Sequence, residues 1–276
     1  MLSPADRFAE LAHERFLRLQ DGIGVAVGRL WDVFGGVDDK AFEQFPARAA
    51  VAVSAAQRQA SGLVDSSWSR IAALLGVNLA PLGLQLAGAD LRGTDPVEVY
   101  RRPVVTARAA LADGRSWLDA VAAARARAVS TASTDVSLAQ RGAADAWASA
   151  DRVVGYRRVL SGRSCLMCAT ASTQRYRHGD LMPIHGHCDC GVAPIIGDHD
   201  PGHVINRGLL RDLRKQGGSS YWQKSGFVDM TEDGTATVLV GGKQRTLEVA
   251  VHQHGELGPV LTDRRHNFAS EGDLAA

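Results

Sequence analysis

Apolar residues in the first 150 positions recur at the three- and four-residue spacing that is typical of amphipathic helices. The first helical segment begins at Ser3-Pro4, an N-cap residue followed by a proline suited to the first turn, and breaks at Gly35-Gly36. The pattern predicts a second long helix over residues 40–75, with a weak point near Ser61-Gly62. Glycine and proline then accumulate over residues 76–94, which indicates a loop.

Three further helical segments follow this loop. Asp95-Pro96 opens one of them and Asp113-Gly114 closes it. Residues 115–132 and 135–150 are predicted to form two more helices that join around Ser130–Thr134. Three of the four tryptophans of this half are interpreted as core anchors rather than ligand contacts: Trp68, Trp117 and Trp147. The alanine-rich helical faces favour close packing between helices.

The chain changes character after Asp151. Residues 153–160 are compatible with a strand, and residues 206–216 with a short helix. The strongest hairpin signal is a pair of β-rich runs, Thr235–Val240 and Gln244–Val251, on either side of Gly241-Gly242. We therefore predict an α+β fold with two domains. A helical domain would occupy residues 1–150, and a smaller mixed α/β module with a Cys/His cluster and a β-hairpin would occupy residues 151–276.

The charge of the chain is balanced, with a net charge of +1 over 276 residues. Residues 1–150 contain 16 basic and 16 acidic side chains, whereas residues 151–215 contain 10 and 6. Clustered positive charge is the usual mark of a phosphate-binding surface, so the sequence favours at most a weak DNA contact in the second segment. The arginines expected to contribute to such a contact are Arg157, Arg158, Arg163, Arg175 and Arg177.

The chain shows neither a secretory signal at its start nor an uncharged apolar stretch of the length that spans a bilayer. We therefore expect a protein that is made in the cytoplasm and has no membrane partner. Clustered cysteines in a reducing compartment favour metal binding over disulfide formation.

All four cysteines of the chain fall within 26 residues. They read Cys165-Leu-Met-Cys168 and, after a gap, His185-Gly-His-Cys188-Asp-Cys190. A Cys-x-x-Cys pair that faces a second close pair can present about four soft ligands to one tetrahedral ion. The spacing therefore predicts one structural zinc, which would be bound by four of five candidate ligands: Cys165, Cys168, His185, Cys188 and Cys190.

Two other interpretations of the cluster stay open. The cysteines could form two disulfides or remain four reduced core residues. A catalytic zinc would need an open coordination position and a general base, and no glutamate lies between Leu160 and Val204. The sequence offers no catalytic triad signature and no glycine-rich nucleotide loop. We therefore expect a protein that is not an enzyme and has no organic cofactor.

Residues 155–196 resemble the C-terminal signature of Mu F-like phage head morphogenesis proteins. The matching features are Cys165-x-x-Cys168, then Gly179, then Pro183-x-His185-x-x-Cys188-x-Cys190. The chain departs from the family pattern at Met182, where a proline is common, and at Asp189, where an arginine is usual. The segment His254-Gly-Glu-Leu-Gly-Pro and the helical half are similar to minor capsid proteins of actinobacterial phages.

The resemblance implies a minor head protein of a tailed phage. Such a protein would lie inside the capsid near the portal vertex and would assist head assembly, DNA packaging or ejection. Its partner would be the portal protein, with scaffold or major capsid protein as further candidates. Two alternatives come from other classes. One is a metal-dependent enzyme that acts on nucleic acid, and the other is a toxin-linked Mu F-like module.

Overall fold

The computed structural model describes residues 2–160, 172, 175–179, 189–203, 227–230, 235–240, 243–254 and 258–263. The chain divides into two compact units. One unit is Phe8–Trp147, and the other combines Met1–Arg7 with Ala148–Ala276. Every described helix longer than one turn precedes the first strand, so the predicted α+β class is confirmed.

The first half of the chain is helical. It contains α1 (Pro4–Phe34), α2 (Asp39–Leu74), the short α3 (Ala89–Arg92), α4 (Pro96–Ala112) and α5 (Trp117–Ala148). The predicted starts of α1 and α4 are confirmed by their caps. Ser3 Oγ accepts a hydrogen bond from the Asp6 amide at 3.1 Å, and Asp95 Oδ1 accepts one from the Val97 amide at 2.7 Å. Among the described residues, no helix combines the length and the apolar character needed to cross a bilayer.

The core of the helical unit lies between α1, α2, α4 and α5. Trp31 of α1 packs edge-to-face on Phe45 of α2, with the ring centroids 4.9 Å apart. The face that α5 buries is made of fully buried alanines at four-residue intervals: Ala120, Ala124, Ala128 and Ala132. Small side chains at this spacing allow α1 to approach closely, and a Cβ added at Gly24 would lie 3.4 Å from Val129 Cγ1.

Residues 76–88 form a loop, as predicted, and polar side chains of α2 hold this loop in place. The prediction of a loop up to residue 94 is wrong at its end, where the short α3 forms. Ser61 Oγ accepts a hydrogen bond from the Leu86 amide at 3.2 Å and lies 3.0 Å from the Arg58 carbonyl, to which it donates. Because the Ser61 hydroxyl is fully buried and bonded, it does not interrupt the helix. The weak point that the sequence predicts near Ser61-Gly62 is therefore wrong, and α2 is continuous.

The prediction of two helices that join around Ser130–Thr134 is also wrong, because α5 is one helix of 32 residues. The Thr134 hydroxyl donates to the Ser130 carbonyl at 2.9 Å, and the Ser137 hydroxyl donates to the Ser133 carbonyl at 3.2 Å. These bonds satisfy the hydroxyls within the helix. Buried alanines on both sides of the segment supply the packing that keeps it helical.

Two of the three tryptophans interpreted as core anchors are buried. The Trp68 and Trp147 side chains are each 1% exposed, and their ring centroids lie 6.2 Å apart. The interpretation is wrong for Trp117, which is 53% exposed in the first turn of α5, next to Leu118 at 79%. The alanines Ala120 and Ala124, one and two turns along α5, take the buried positions instead.

The strands of the second unit form two antiparallel sheets. In the smaller sheet, β1 (Val153–Val159) pairs with β2 (Gly191–Ile196). In the larger sheet, neighbouring strands follow the chain order β3 (Phe227–Met230), β4 (Thr235–Val240), β5 (Lys243–His254) and β6 (Gly258–Asp263). The hairpin predicted from the sequence is confirmed as the β4–β5 pair, although β5 continues to His254. The helix predicted at residues 206–216 lies outside the described residues.

Candidate functional site

Cys190 lies directly before β2 and is 1% exposed. Its sulfur accepts a hydrogen bond from Arg158 Nη1 at 3.1 Å. Arg158 is on β1, where it is paired with Val192, and its side chain is fully buried. The strand pairing therefore places a positive charge next to the sulfur, which suits a cysteine that carries negative charge as a metal ligand.

Two tyrosines pack near Arg158. Tyr156 on β1 exchanges backbone hydrogen bonds with Tyr176 at 2.8 and 2.9 Å, and the two rings stack with centroids 5.7 Å apart. The Arg158 guanidinium lies 5.8 Å from the centroid of the Tyr176 ring. The Tyr176 backbone can lie this close to β1 because Gly155 has no side chain. A Cβ at that position would lie 2.4 Å from the Tyr176 carbonyl oxygen.

Arg157 makes a different contact, as expected for the adjacent residue of a strand. Its Nε and Nη2 donate to the two carboxylate oxygens of Asp200, each at 2.7 Å. Arg175 Nε donates to Asp200 Oδ2 at 2.8 Å, and the Gly202 amide donates to Oδ1 at 2.9 Å. One buried carboxylate thereby joins β1, the segment before β2 and the turn after it.

The pKa of Asp200 reflects these contacts. Burial acts to raise it, but the hydrogen bonds from Arg157, Gly202 and Arg175, together with the charge of Arg157, hold the pKa of this carboxyl well below its usual range. Asp200 is therefore ionised at neutral pH. With two guanidiniums and one carboxylate, the cluster has a net charge of +1.

His199 makes a further contact within the second unit. Its Nε2 lies 3.0 Å from Asp6 Oδ1, and Asp6 is buried. Asp6 Oδ2 accepts a hydrogen bond from the Ser3 hydroxyl at 2.7 Å, which completes the reciprocal cap at the start of α1. The sequence offered no sign of this pairing, because the two residues are 193 positions apart.

The five arginines predicted to contact DNA fall into three groups: buried, exposed and outside the described residues. Arg157 and Arg158 are 8% and 0% exposed, and both guanidiniums face protein groups. A buried guanidinium does not reach a phosphate backbone, so we withdraw these two as DNA contacts. Arg175 and Arg177 are exposed, and the prediction for them is untested. Arg163 lies outside the described residues.

Of the five predicted zinc ligands, only Cys190 is among the described residues. Cys165, Cys168, His185 and Cys188 lie outside the described residues. Within the part of the chain that is described, no group of three or more His, Cys, Asp and Glu side chains could hold a metal. The environment of Cys190 fits a zinc-bound cysteine, because a buried guanidinium compensates the charge that thiolate ligands bring. The ligand set itself stays a prediction.

Sequence reasoning missed the partners that order this site, above all Asp200, Gly202 and Tyr176. Asp200 is followed by Pro-Gly, a combination that signals a turn and not a buried ion pair. Gly202 packs against Arg157, and a Cβ there would lie 2.3 Å from Arg157 Nε. Such approaches depend on pairing between β1 and a distant turn, which the local sequence does not encode.

A second buried polar cluster lies in the helical unit. Arg92 of α3 donates to Asp135 Oδ1 of α5 at 2.5 Å, and the Tyr100 hydroxyl of α4 donates to Oδ2 at 2.7 Å. Burial raises the pKa of Asp135, whereas Arg92 and Tyr100 act in the opposite direction. Burial and the neighbouring carboxylate hold the pKa of Tyr100 well above its usual range. The cluster joins three helices and explains the position of α3.

Comparison of the chain with family models, curated proteins and solved structures gives no match. The resemblance to Mu F-like head proteins therefore rests on the sequence features described above, chiefly the Cys/His motif.

Proposed function

We propose that this protein is a minor head protein of a tailed phage, which binds the portal protein inside the capsid and is not an enzyme. The observation that carries the proposal is the Cys/His motif, which matches the Mu F-like pattern at all five candidate ligands. In this proposal the protein assists head assembly, DNA packaging or ejection near the portal vertex. It would reach that place after synthesis in the host cytoplasm.

The proposed role of the metal is structural. Four of the residues Cys165, Cys168, His185, Cys188 and Cys190 would hold one zinc, which would cross-link the segment between β1 and β2. Binding energy at such a site contributes directly to folding. The hydrogen bond from Arg158 to Cys190 supports the assignment, because it supplies positive charge beside one ligand. The Asp200 cluster would hold the same sheet rigid from within.

The helical unit supports a docking role. Two buried carboxylates of this unit are already bonded within it. Asp65 accepts hydrogen bonds from the Trp147 indole and the Leu82 amide, and Asp135 accepts them from Arg92 and Tyr100. Trp117 and Leu118 instead expose large apolar surfaces at the start of α5. Exposed aromatic and aliphatic side chains of this kind are typical anchors of protein–protein interfaces. The partner that the Mu F-like motif implies is the portal protein.

The principal experiment is co-purification of the full chain with the portal protein of the same phage. We expect the wild-type protein to bind assembled portal rings. We expect the double variant C165S/C168S to lose zinc and to be missing from heads, while portal rings still form. Cys190→Ser tests the described ligand in the same assay. Normal incorporation of the C165S/C168S protein into heads would contradict the proposal.

Elemental analysis separates the interpretations of the cluster. Protein purified without chelator should contain about one zinc per chain if a structural site is present. Less than about half an equivalent, with no thiol that reacts on titration, would favour two disulfides instead. A nuclease activity that needs the metal and disappears in C165S/C168S would favour the enzymatic alternative.

A further inference from the structure

An open groove runs along the α1–α2 hairpin of the helical unit. Its volume is about 700 Å³. Its apolar lining comes from Leu30, Ala47, Val51 and Ala52, and its polar lining comes from Glu43, Gln44 and Arg48. We propose that this groove is the interface of a homodimer, in which a second copy of this chain packs α2 against α2 around a two-fold axis.

The apolar part of the groove gives the driving force. Val51 is 71% exposed although it lies in the middle of a long helix. Ala47, one turn before it, and Ala52 are small enough for another helix backbone to approach closely. Burial of exposed apolar area is favourable in proportion to that area, so a groove of this composition is stabilised when it is covered.

The polar part of the groove identifies the occupant. Among the described residues, Glu43 has no ion-pair partner, and the described contact of the Arg48 guanidinium is with the Phe34 ring, 4.1 Å from its centroid. The lining therefore contains one carboxylate, one guanidinium and the amide of Gln44, which both donates and accepts. A set of zero net charge attracts neither DNA nor a strongly charged partner. It is complementary to itself.

The positions of these residues on α2 fit a two-fold axis. Glu43 and Arg48 lie at equal distances on either side of the Phe45–Pro46 peptide, and so do Gln44 and Ala47. In an antiparallel pair of α2 helices with the axis at this point, Glu43 faces Arg48 of the partner subunit, and the reciprocal pair forms as well. Such reciprocity is the property of an isologous interface. Phe45 and Pro46 themselves are buried in the core, which leaves the outer face to the pairing residues.

The axis also gives Val51 a partner. Lys40 and Val51 are equidistant from the same point, so the aliphatic stem of Lys40 from one subunit covers Val51 of the other. The dimer thus pairs every charged group of the groove and covers its most exposed apolar side chain. It does not depend on the proposed phage function, because it involves only the helical unit and a second copy of it.

The experiment measures dimer formation by sedimentation of the full chain over a wide concentration range. It compares the wild type with variants in which the charge of Glu43, of Arg48 or of both is reversed. The wild-type protein should sediment as a dimer. E43R and R48E should each weaken the dimer by about tenfold or more, because each creates two like-charge pairs across the axis. The double variant E43R/R48E reverses both charges and should restore the dimer to within about threefold of the wild-type affinity. This restoration is the decisive observation, since loss of folding cannot produce it.

E14R is the matched control, because it reverses an exposed carboxylate of α1 whose ion pair with Arg18 lies outside the groove. It should leave the dimer unchanged, and V51R should abolish it. A wild-type chain that stays monomeric at the highest concentration overturns the proposal, as does a dimer that tolerates both single reversals. A monomer whose binding to portal rings is lost in V51R would also overturn it and would assign the groove to that partner.

Discussion

The indole Nε1 of Trp147 donates a hydrogen bond to Asp65 Oδ1 at 2.9 Å in the interior of the helical unit. The same carboxylate accepts hydrogen bonds from three backbone amides of the loop after α2. The donors are Leu82, Gly83 and Leu84, at 2.8, 2.8 and 3.2 Å. Asp65 is 5% exposed. It therefore acts as one buried acceptor for four donors and fixes the loop against α2 and the end of α5.

Replacement of Asp65 by alanine should destabilise the helical unit by about 3 kcal/mol, because it leaves several buried donors without an acceptor. Chemical denaturation of the full chain, followed by far-ultraviolet circular dichroism, measures the effect as a shift in the unfolding of the helices. Ser66→Ala, at the neighbouring exposed position, is the control and should change stability by less than about 0.5 kcal/mol. Equal stability of D65A and the wild type would show that the loop does not depend on this carboxylate.

The helices could be predicted from the sequence where caps and apolar spacing agree, as at Ser3 and Asp95. Prediction failed at Ser130–Thr134, where local propensity opposes the helix and tertiary packing of buried alanines prevails. It failed at Trp117 because amphipathic spacing alone does not tell where a bundle ends. In the pairing of α1 with α5, Gly24 lies opposite Val129 and Gly28 lies opposite Arg125. The same register places Trp117 opposite the Gly35-Gly36 turn, where α1 has ended and no longer covers it.

The candidate site was only partly predictable for a related reason. The Cys/His spacing is local and can be read directly from the sequence. The guanidinium beside Cys190 comes from another strand, and the carboxylate that binds Arg157 is 43 residues away. Both arginines were expected at the surface because arginine is usually exposed. Their burial follows from strand pairing and from Asp200, which the sequence does not reveal.

The stability of the second unit should depend on acid pH through Asp200. Since the pKa of this carboxyl is lower in the folded chain than in the unfolded chain, its contribution is present above about pH 4. The contribution is lost as the pH falls from there through the folded pKa. Thermal unfolding between pH 7 and pH 2.5 should show a steeper loss for the wild type than for D200N. D198N, at an exposed neighbouring position, should follow the wild type.

Gly202→Ala should disrupt the Arg157–Asp200 pair. The added Cβ would lie 2.3 Å from Arg157 Nε and 2.5 Å from Cδ, so the guanidinium must move away from the carboxylate. We expect a loss of about 1–3 kcal/mol in the stability of the second unit, as for overpacking elsewhere. Gly62→Ala is the matched control, because a Cβ there meets no atom within 4 Å. It lies within α2 and should stabilise slightly by helix propensity. The same small effect in both variants would contradict the contact.

Trp117 and Leu118 should anchor the partner of the helical unit. They are 53% and 79% exposed, so their removal costs the isolated chain little. If the proposed function is right, W117A/L118A should weaken binding to portal rings by about 2 kcal/mol or more, as for buried interface anchors. Surface plasmon resonance with immobilised rings gives the affinity, and circular dichroism checks that the variant is folded.

Val105→Ala is the control for this prediction, because it truncates a half-exposed apolar residue on α4 of the same unit. It should bind portal rings like the wild type. W117F should retain most of the affinity, since it keeps an aromatic ring at the anchor position. Unchanged binding of W117A/L118A beside strong wild-type binding would exclude this surface without affecting the proposed function. A wild-type chain that does not bind portal rings would contradict that function instead.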